Sequence, residues 1–223
     1  MDYELHYWDL PFRGIFAELL LVEAGLDYRR RTPTGIYPEH RLERDAPGMA
    51  PPFLVDCKTG RTLSQMPAIV DFLARRHDLA PDKAWERSLM LKLTLDANDA
   101  IDEITLQGGM TMWTTAEWAD FRENRLAEWM RLFEAVATQY GGEGMLGGFC
   151  AADLVTLGAW GTLTHAFPAL REDLETHART VAAICDRTAA RRRVKEFLEA
   201  QRARDGRAWC GGQIEASLRE VVD

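Results

Sequence analysis

Hydrophobic and polar positions follow two different periods at the start of the chain. The run from Tyr3 to Tyr7 alternates with a period of two, which is typical of a half-buried strand that ends at Tyr7. After a short connection, apolar residues recur at helical spacing between Ile15 and Val22, and Gly25 closes this stripe. The segment from Tyr28 to Thr32 again has the pattern of a strand. The pattern therefore predicts a strand–helix–strand unit.

A second unit follows a connection that is broken by Pro and Gly. Phe53 to Val55 form an apolar run, the chain turns at Lys58 to Gly60, and a second extended piece ends at Leu63. A polar pair then stands before Pro67, where apolar residues resume at helical spacing. We therefore expect a strand, a hairpin, a strand and a helix, and the start of that helix is suited to holding an anion.

From Trp85 onward every segment has a helical pattern, so we expect an α/β domain over residues 1–80 and an all-helical domain over residues 81–223. Thr114 and Glu117 predict a capping box, and Asp153 occupies the third position of a helix that begins after Cys150. The predicted helices span Trp85 to Leu106, Thr114 to Tyr140, a third segment from Cys150, and then Glu172 to Cys185 and Thr188 to Arg204.

The composition is that of an ordinary globular protein, with 223 residues, a net charge of -8 and a pI near 5.2. This acidic balance argues against a nucleic-acid partner, because phosphate binding depends on clustered Lys and Arg. No secretory signal pattern and no apolar tract long enough for a bilayer are visible, so we expect a soluble, cytoplasmic protein without a membrane partner. Neither a metal site nor a disulfide framework is expected from the scattered cysteines, which are Cys57, Cys150, Cys185 and Cys210.

Four short motifs in the N-terminal part follow the pattern of one enzyme family. Pro52 to Asp56 matches P-x-L-x-D, Gln65 to Ile69 matches Q-S-x-A-I except at its second position, and Ala74 to Leu79 matches A-R-x-H-x-L. The run from Tyr7 to Asp9 precedes Arg13-Gly14 with two more residues between them than in the family. These motifs resemble those of tyrosine-type cytosolic glutathione S-transferases, the mu class in particular, and suggest a divergent, bacterial-type member.

The resemblance implies the glutathione transferase fold, in which a thioredoxin-like α/β domain (βαβ, then ββα) precedes an all-α helical domain. It also implies glutathione as co-substrate, a homodimer, and Tyr7 as the catalytic residue. The Tyr7 phenol would donate a hydrogen bond to the glutathione sulfur and favour the thiolate, which then attacks an electrophilic carbon. The alternative for Tyr7 is a strand-end aromatic whose hydroxyl lies in water.

The resemblance assigns further residues to glutathione. Pro51 precedes the proline that opens the third strand, and because it lacks an N–H it gives up one backbone hydrogen bond to the cysteinyl unit. Met66 stands where the family has a serine, and Asp102, or Asp99 one turn away, would reach the γ-glutamyl amine of the partner subunit. The full predicted set is Trp8, Arg13, Tyr37, Arg41, Pro51, Pro52, Gln65, Met66 and Asp102.

The electrophile would occupy an apolar cleft between the two domains. Methionine and aromatic side chains give an adaptable surface for such a ligand, although the same side chains could be ordinary core. The predicted set is Pro11, Phe12, Met110, Met112, Trp113 and Trp209.

These residues predict a glutathione S-transferase with a detoxification role. Two alternatives stay open at the level of sequence. One is a noncatalytic binding or interaction protein with a degraded glutathione site, for which Pro51 and Met66 are the evidence. The other is a glutathione-dependent isomerase, dehalogenase or peroxidase. Disulfide exchange is disfavoured because no cysteine is expected near Tyr7.

Overall fold

The computed structural model describes residues 1–33 and 47–222. Two of the predicted glutathione contacts, Tyr37 and Arg41, lie outside the described residues.

A four-stranded mixed sheet and two helices form the N-terminal part. Their bounds are β1 Tyr3–His6, α1 Phe12–Glu23, β2 Tyr28–Arg31, β3 Phe53–Asp56, β4 Thr62–Ser64 and α2 Met66–Arg76. The strand order is β2-β1-β3-β4, with β1 parallel to β2, and with β3 antiparallel to both β1 and β4. The predicted thioredoxin-like arrangement of βαβ followed by ββα is therefore confirmed.

From Ala84 onward the described chain is helical. The bounds are α3 Ala84–Ile104, α4 Leu106–Gly109, α5 Thr115–Phe121, α6 Ala127–Gln139, α7 Ala151–Thr156, α8 Thr162–Ala166, α9 Leu170–His177, α10 Arg179–Ala189, α11 Arg192–Asp205 and α12 Gly212–Val222. Two π-helical turns, Arg122–Leu126 and Leu157–Gly161, join α5 to α6 and α7 to α8. Across residues 1–33 and 47–222, no helix combines the length and the hydropathy that crossing a membrane requires.

Helix α1 is one of two N-terminal helices that contact the helical part; the other, α2, packs against α3. Helix α1 packs against α2 of the N-terminal part and against α7 and α11 of the helical part. Leu19, Leu20 and Leu21 are all buried, so the helix is covered on more sides than the one-sided stripe of the sequence predicts. Gly158 of the second π-helical turn allows a close approach to the Phe16 ring, since a Cβ there would lie 3.1 Å from Phe16 Cδ1.

Two helix predictions need correction. The predicted helix from Glu172 to Cys185 is two helices, because Ala178 between them has a φ of -152° and a ψ of 60°. The carboxylate of Glu134 accepts hydrogen bonds from the free amides of Thr180 and Val181 at the start of α10, at 3.1 and 3.0 Å. Helix α12 was not predicted at all. By contrast, the capping box at the start of α5 is confirmed.

Candidate active site

The sheet register brings three of the predicted residues to the same end of the sheet. In the paired strands, His6 lies opposite Phe53, and Phe53 lies opposite Ser64. The residues adjacent to these pairs at the same end of the sheet are Tyr7, Pro52 and Gln65. Strand pairing alone therefore places the phenol beside the proline that opens β3 and beside the residue that precedes α2.

The Tyr7 hydroxyl is bonded to the start of α1. Tyr7 is 2% exposed, and its hydroxyl oxygen accepts a hydrogen bond from the backbone N–H of Arg13 at 3.1 Å. That N–H belongs to the first turn of α1, where amides have no partner within the helix. No described residue accepts the hydrogen of the Tyr7 hydroxyl. The phenol can therefore still act as a donor.

Burial raises the pKa of Tyr7 to about 12. The Arg13 amide and the guanidinium groups of Arg13 and Arg30 oppose this effect, because each favours the phenolate. With a pKa in this range Tyr7 is protonated at neutral pH, so the hydroxyl offers its hydrogen rather than a negative charge.

A cavity of about 600 Å³ lies against Tyr7. It is bounded by the loop after β1, by Pro51, by α4 together with the end of α3, and by the start of α12. Of the described residues that line it, Arg13 alone carries a charge. The predicted residues that line it are Tyr7, Trp8, Phe12, Arg13, Pro51 and Met112.

Two of the predicted electrophile residues, both tryptophans, lie outside this cavity: Trp209 is in the core, and Trp113 is partly buried against it. Trp209 is 1% exposed and packs edge-on against Phe12 and Phe167, with ring centroids 5.1 and 5.7 Å apart. Trp113 donates its indole N–H to the carbonyl oxygen of Ile104 at 2.8 Å. Both were assigned to the cleft because of their residue type, but the structure uses Trp209 to support the wall behind Phe12.

Pro11 and Met110 also lie outside this cavity. Pro11 borders a narrow gap beside Leu198 of α11. Met110 is 77% exposed and faces a second depression, which it shares with Asp102 and Leu106. Helix α4 separates the two surfaces, because Gly108 and Gly109 line the cavity whereas Leu106 faces the other side.

Arg13 and Asp102 bond to each other within one chain. Arg13 Nη2 lies 2.8 Å from Asp102 Oδ1, and Arg13 Nε donates to Asn98 Oδ1 at 3.1 Å. These bonds link the start of α1 to the face of α3. The Asp102 side chain is 44% exposed, so the bond to Arg13 leaves part of the carboxylate accessible. Asp99, the other candidate for the γ-glutamyl contact, is exposed.

The corner predicted for glutathione has two distinct sides. Pro51 lines the cavity and is joined to Pro52 by a cis peptide bond. Gln65 is exposed, and its φ of 71° puts it in the left-handed region just before α2. Met66 is 1% exposed and belongs to the core, so its side chain does not reach the ligand position that the resemblance assigns to it.

Several lining residues were missed by sequence reasoning. They are Leu10, Ala50, Thr105, Gly108, Gly109, Cys210, Gly211, Gly212, Gln213 and Ile214, and half of them belong to α12 or to the segment before it. The expectation that no cysteine lies near Tyr7 is wrong, because the fold returns Cys210 to the same cavity. Burial raises the pKa of the Cys210 thiol to about 12, so the thiol is protonated at neutral pH. Among the described residues, no group of three or more His, Cys, Asp or Glu side chains could hold a metal ion.

The sheet, the helical part and the cavity between them define a protein of the glutathione-transferase fold. A family model described as "Glutathione S-transferase, C-terminal domain" matches residues 89–221, which is more than half of the chain. The chain therefore belongs to the glutathione S-transferase family, whose members use glutathione. A search of the curated proteins gave no match.

Solved structures show the same fold at low sequence identity. The chain is similar to the Pi-class glutathione S-transferase of Onchocerca volvulus, with a TM-score of 0.78, 20% identity, and coverage of 95% of this chain and 98% of that one. It is similar to monomeric Na-GST-3 from the hookworm Necator americanus, with a TM-score of 0.71, 20% identity, and coverage of 90% and 97%. It is also similar to prostaglandin synthase D of Nilaparvata lugens, with a TM-score of 0.69, 16% identity, and coverage of 90% and 99%.

Proposed function

We propose that this protein is a glutathione S-transferase in which Tyr7 assists attack by the glutathione thiolate on an apolar electrophile. The observation that carries the proposal is the Tyr7 hydroxyl, which is protonated, lies against the cavity, and has no described acceptor for its hydrogen. The Tyr7 oxygen accepts a hydrogen bond from the Arg13 amide, and the hydrogen of the hydroxyl is still free to be donated to a ligand.

The chemistry follows from the acidity of a thiol. A free thiol has a pKa near 8.5, so only a small fraction is thiolate at neutral pH. A hydrogen bond from the Tyr7 O–H to the sulfur stabilises the anion and not the neutral thiol, which lowers the thiol pKa. The proton leaves to solvent, the sulfur forms a bond to the electrophilic carbon, and the leaving group departs with the electron pair of the broken bond.

We propose that glutathione lies along the edge formed by Pro51, Pro52 and Gln65. Pro51 has a carbonyl but no N–H, so it can accept one backbone hydrogen bond and cannot donate one. The start of α2 at Met66 is the positive end of the helix dipole, which would attract a carboxylate by roughly 0.3–1 kcal/mol. Within this proposal Trp8, Arg13 and Asp102 contact glutathione.

The electrophile would occupy the rest of the cavity. Phe12, Met112 and Ile214 give it apolar walls, and Gly108 and Gly109 keep one wall free of side chains. Such a site favours flat or flexible apolar molecules over polar ones. A homodimer, a cytoplasmic location and a role in detoxification complete the proposal, and the mu-like and bacterial-type assignment rests on the sequence motifs.

The test compares the wild type with Tyr7→Phe in conjugation of glutathione to chlorodinitrobenzene. Loss of a hydrogen bond to a charged sulfur is worth roughly 1.5–3 kcal/mol, so we expect kcat/KM to fall by about ten- to a hundredfold. Tyr140→Phe, which removes the hydroxyl of a tyrosine that does not line the cavity, is the matched control. Retention of the wild type on glutathione-agarose without any conjugation would instead favour a noncatalytic binding protein.

A further inference from the structure

Arg30 reaches the loop after β1 from the strand next to it. Its Nη1 donates to the Glu18 carboxylate at 3.2 Å, and its Nη2 donates to the carbonyl oxygens of both Trp8 and Leu10. The Glu18 side chain is 3% exposed and that of Arg30 is 13% exposed, so Glu18 is buried and Arg30 is mostly covered. One guanidinium therefore connects β2, α1 and the loop that forms one wall of the cavity.

This loop connects Tyr7 to the start of α1, which binds the Tyr7 hydroxyl. The hydrogen bond between the Tyr7 hydroxyl and the Arg13 amide closes the segment from Tyr7 to Arg13, which contains the loop. Arg30 binds two carbonyl groups inside this closed segment, and its guanidinium carbon lies 5.9 Å from the centroid of the Tyr7 ring. A change in the loop would therefore move the Arg13 amide relative to the phenol.

Stability alone does not account for the Arg30–Glu18 pair. Burying two charges costs several kcal/mol per ion, and an apolar pair of similar volume is often as stable. Arg30 Nε is buried and has no hydrogen-bond partner among the described residues, which adds to this cost. The Arg30 guanidinium, however, holds the carbonyl groups of Trp8 and Leu10 at a fixed separation, which an apolar side chain cannot do.

We propose that Arg30 is a positioning residue for the transfer reaction: it fixes the loop from Trp8 to Leu10, and thereby the Tyr7 hydroxyl, while Glu18 holds Arg30 in place. The reaction part of this inference rests on the proposed function. The positioning part rests only on the contacts of Arg30.

Within the described part of the chain, several charged or titratable groups face Tyr7 and Glu18. Arg13 and Arg30 face Tyr7 and favour its phenolate, whereas Cys210 disfavours it. Glu18 accepts a hydrogen bond from the Tyr28 hydroxyl at 3.2 Å and also faces Arg204 and Asp205 of α11. Removing the Arg30 charge thus acts on Tyr7 directly as well as through the loop.

The test uses Arg30→Met combined with Glu18→Gln, so that no unpaired charge is left buried. The wild type is the reference, and Glu18→Gln alone shows how far the loop depends on the carboxylate partner of Arg30. Arg29→Met is the matched control, since Arg29 is the exposed neighbour on the same strand. The first readout is the pH profile of conjugation, with kcat and KM determined separately. The second is the NMR signal of the Arg13 amide. Tyr7→Phe shows where that signal lies when the amide has lost its acceptor.

We expect the double variant to shift the Arg13 amide signal toward its position in Tyr7→Phe. We also expect kcat to fall about tenfold relative to the wild type, with a rise of about one unit in the apparent pKa of the thiol and little change in the KM for the electrophile. An unchanged Arg13 signal, or an unchanged pH profile in an active double variant, overturns the proposal. If the wild type has no transferase activity, the proposed function fails, and the amide signal still decides whether Arg30 positions the phenol.

Discussion

The position of the Tyr7 ring depends on the absence of a side chain at Gly14. A Cβ at this residue would lie 2.5 Å from Tyr7 Cδ1 and 2.9 Å from Tyr7 Cγ, which is closer than real Cβ contacts. The ring therefore lies directly on the backbone of α1, and the same helix supplies the Arg13 amide to the hydroxyl. Ring and hydroxyl are both located by one turn of helix.

We predict that Gly14→Ala lowers the rate of conjugation by roughly tenfold, although it replaces no residue that would contact glutathione. The added methyl must push the Tyr7 ring, and overpacking of this kind typically costs about 1–3 kcal/mol. Steady-state kinetics at saturating glutathione measure the effect. Gly148→Ala is the control, because a Cβ there meets no atom within 4 Å. Equal loss in both variants would argue against a role for the Gly14 contact.

At the residue scale, sequence motifs located part of the site and not the rest. Tyr7, Arg13 and Pro51 could be placed because they lie next to strand ends or helix starts, which periodicity reveals. Cys210 could not be placed, because the fold brings it to the cavity from a distance of two hundred residues in the sequence. The inward direction of Met66 was also not predictable, since the first turn of a helix can direct a side chain to the core or to the ligand.

At the scale of elements, two capping boxes differ mainly in burial. At the start of α5, the Thr114 and Glu117 side chains are exposed and bond to each other and to backbone amides. At the start of α7, the buried Asp153 carboxylate accepts from the amides of Cys150 at 2.9 Å and Met145 at 3.1 Å. The exposed amides can bond to water when the cap is removed, whereas the buried amides cannot.

We therefore predict unequal costs for the two caps. Asp153→Ala should lower the free energy of unfolding by roughly 2–4 kcal/mol, because it leaves two buried amides without a partner. Thr114→Ala should cost about 1 kcal/mol, which is usual for an exposed cap. Urea unfolding of both variants, under conditions that give a single transition, provides the comparison. Equal costs would mean that the amides near Asp153 find other partners.

Helix α12 shows why an element with a clear pattern can be missed. Ile214, Leu218 and Val222 are spaced by four and are buried, so the helical signal is present in the sequence. The segment is short and begins with glycines, which read as a loop. Its importance comes from contacts that periodicity does not show, such as the Ser217 hydroxyl that accepts from the Trp113 amide at 2.9 Å.

At the scale of the whole molecule, buried acidic groups make stability depend on alkaline pH. Burial raises the pKa of the Cys150, Cys185 and Cys210 thiols from 9.0 to about 12. The unfolded chain therefore loses these protons at lower pH than the native protein does. The stabilisation is complete below the unfolded pKa and is lost as pH rises toward 12, and Tyr7 adds to the loss only above pH 10.

We predict that the free energy of unfolding falls by roughly 4 kcal/mol between pH 7.5 and pH 10, at about 1.4 kcal/mol per buried thiol. Urea midpoints at a series of pH values measure this slope. Cys185→Ala should remove about a third of it, while Cys57→Ala should change it little because the Cys57 residue is exposed. A flat profile over this range would show that the buried thiols ionise in the native state as they do in the unfolded chain.

The sequence also predicted the architecture of the whole molecule better than its interfaces. The order of strands and helices along the chain followed from periodicity and resemblance, and the fold is confirmed. The division at residue 80 stays a prediction. The position of α1 between the two parts could not be read from its own residues, because burial on several sides depends on α7 and α11, which come much later in the chain.

The central claim is that the Tyr7 hydroxyl stabilises the thiolate of bound glutathione. The most direct measurement is the pKa of that thiol, obtained from the thiolate absorbance of the complex titrated with pH, in the wild type and in Tyr7→Phe. The account predicts a pKa below the free value of about 8.5 in the wild type and a rise of one to two units, that is roughly 1.4–2.7 kcal/mol, in the variant. The same thiol pKa in both proteins would contradict it.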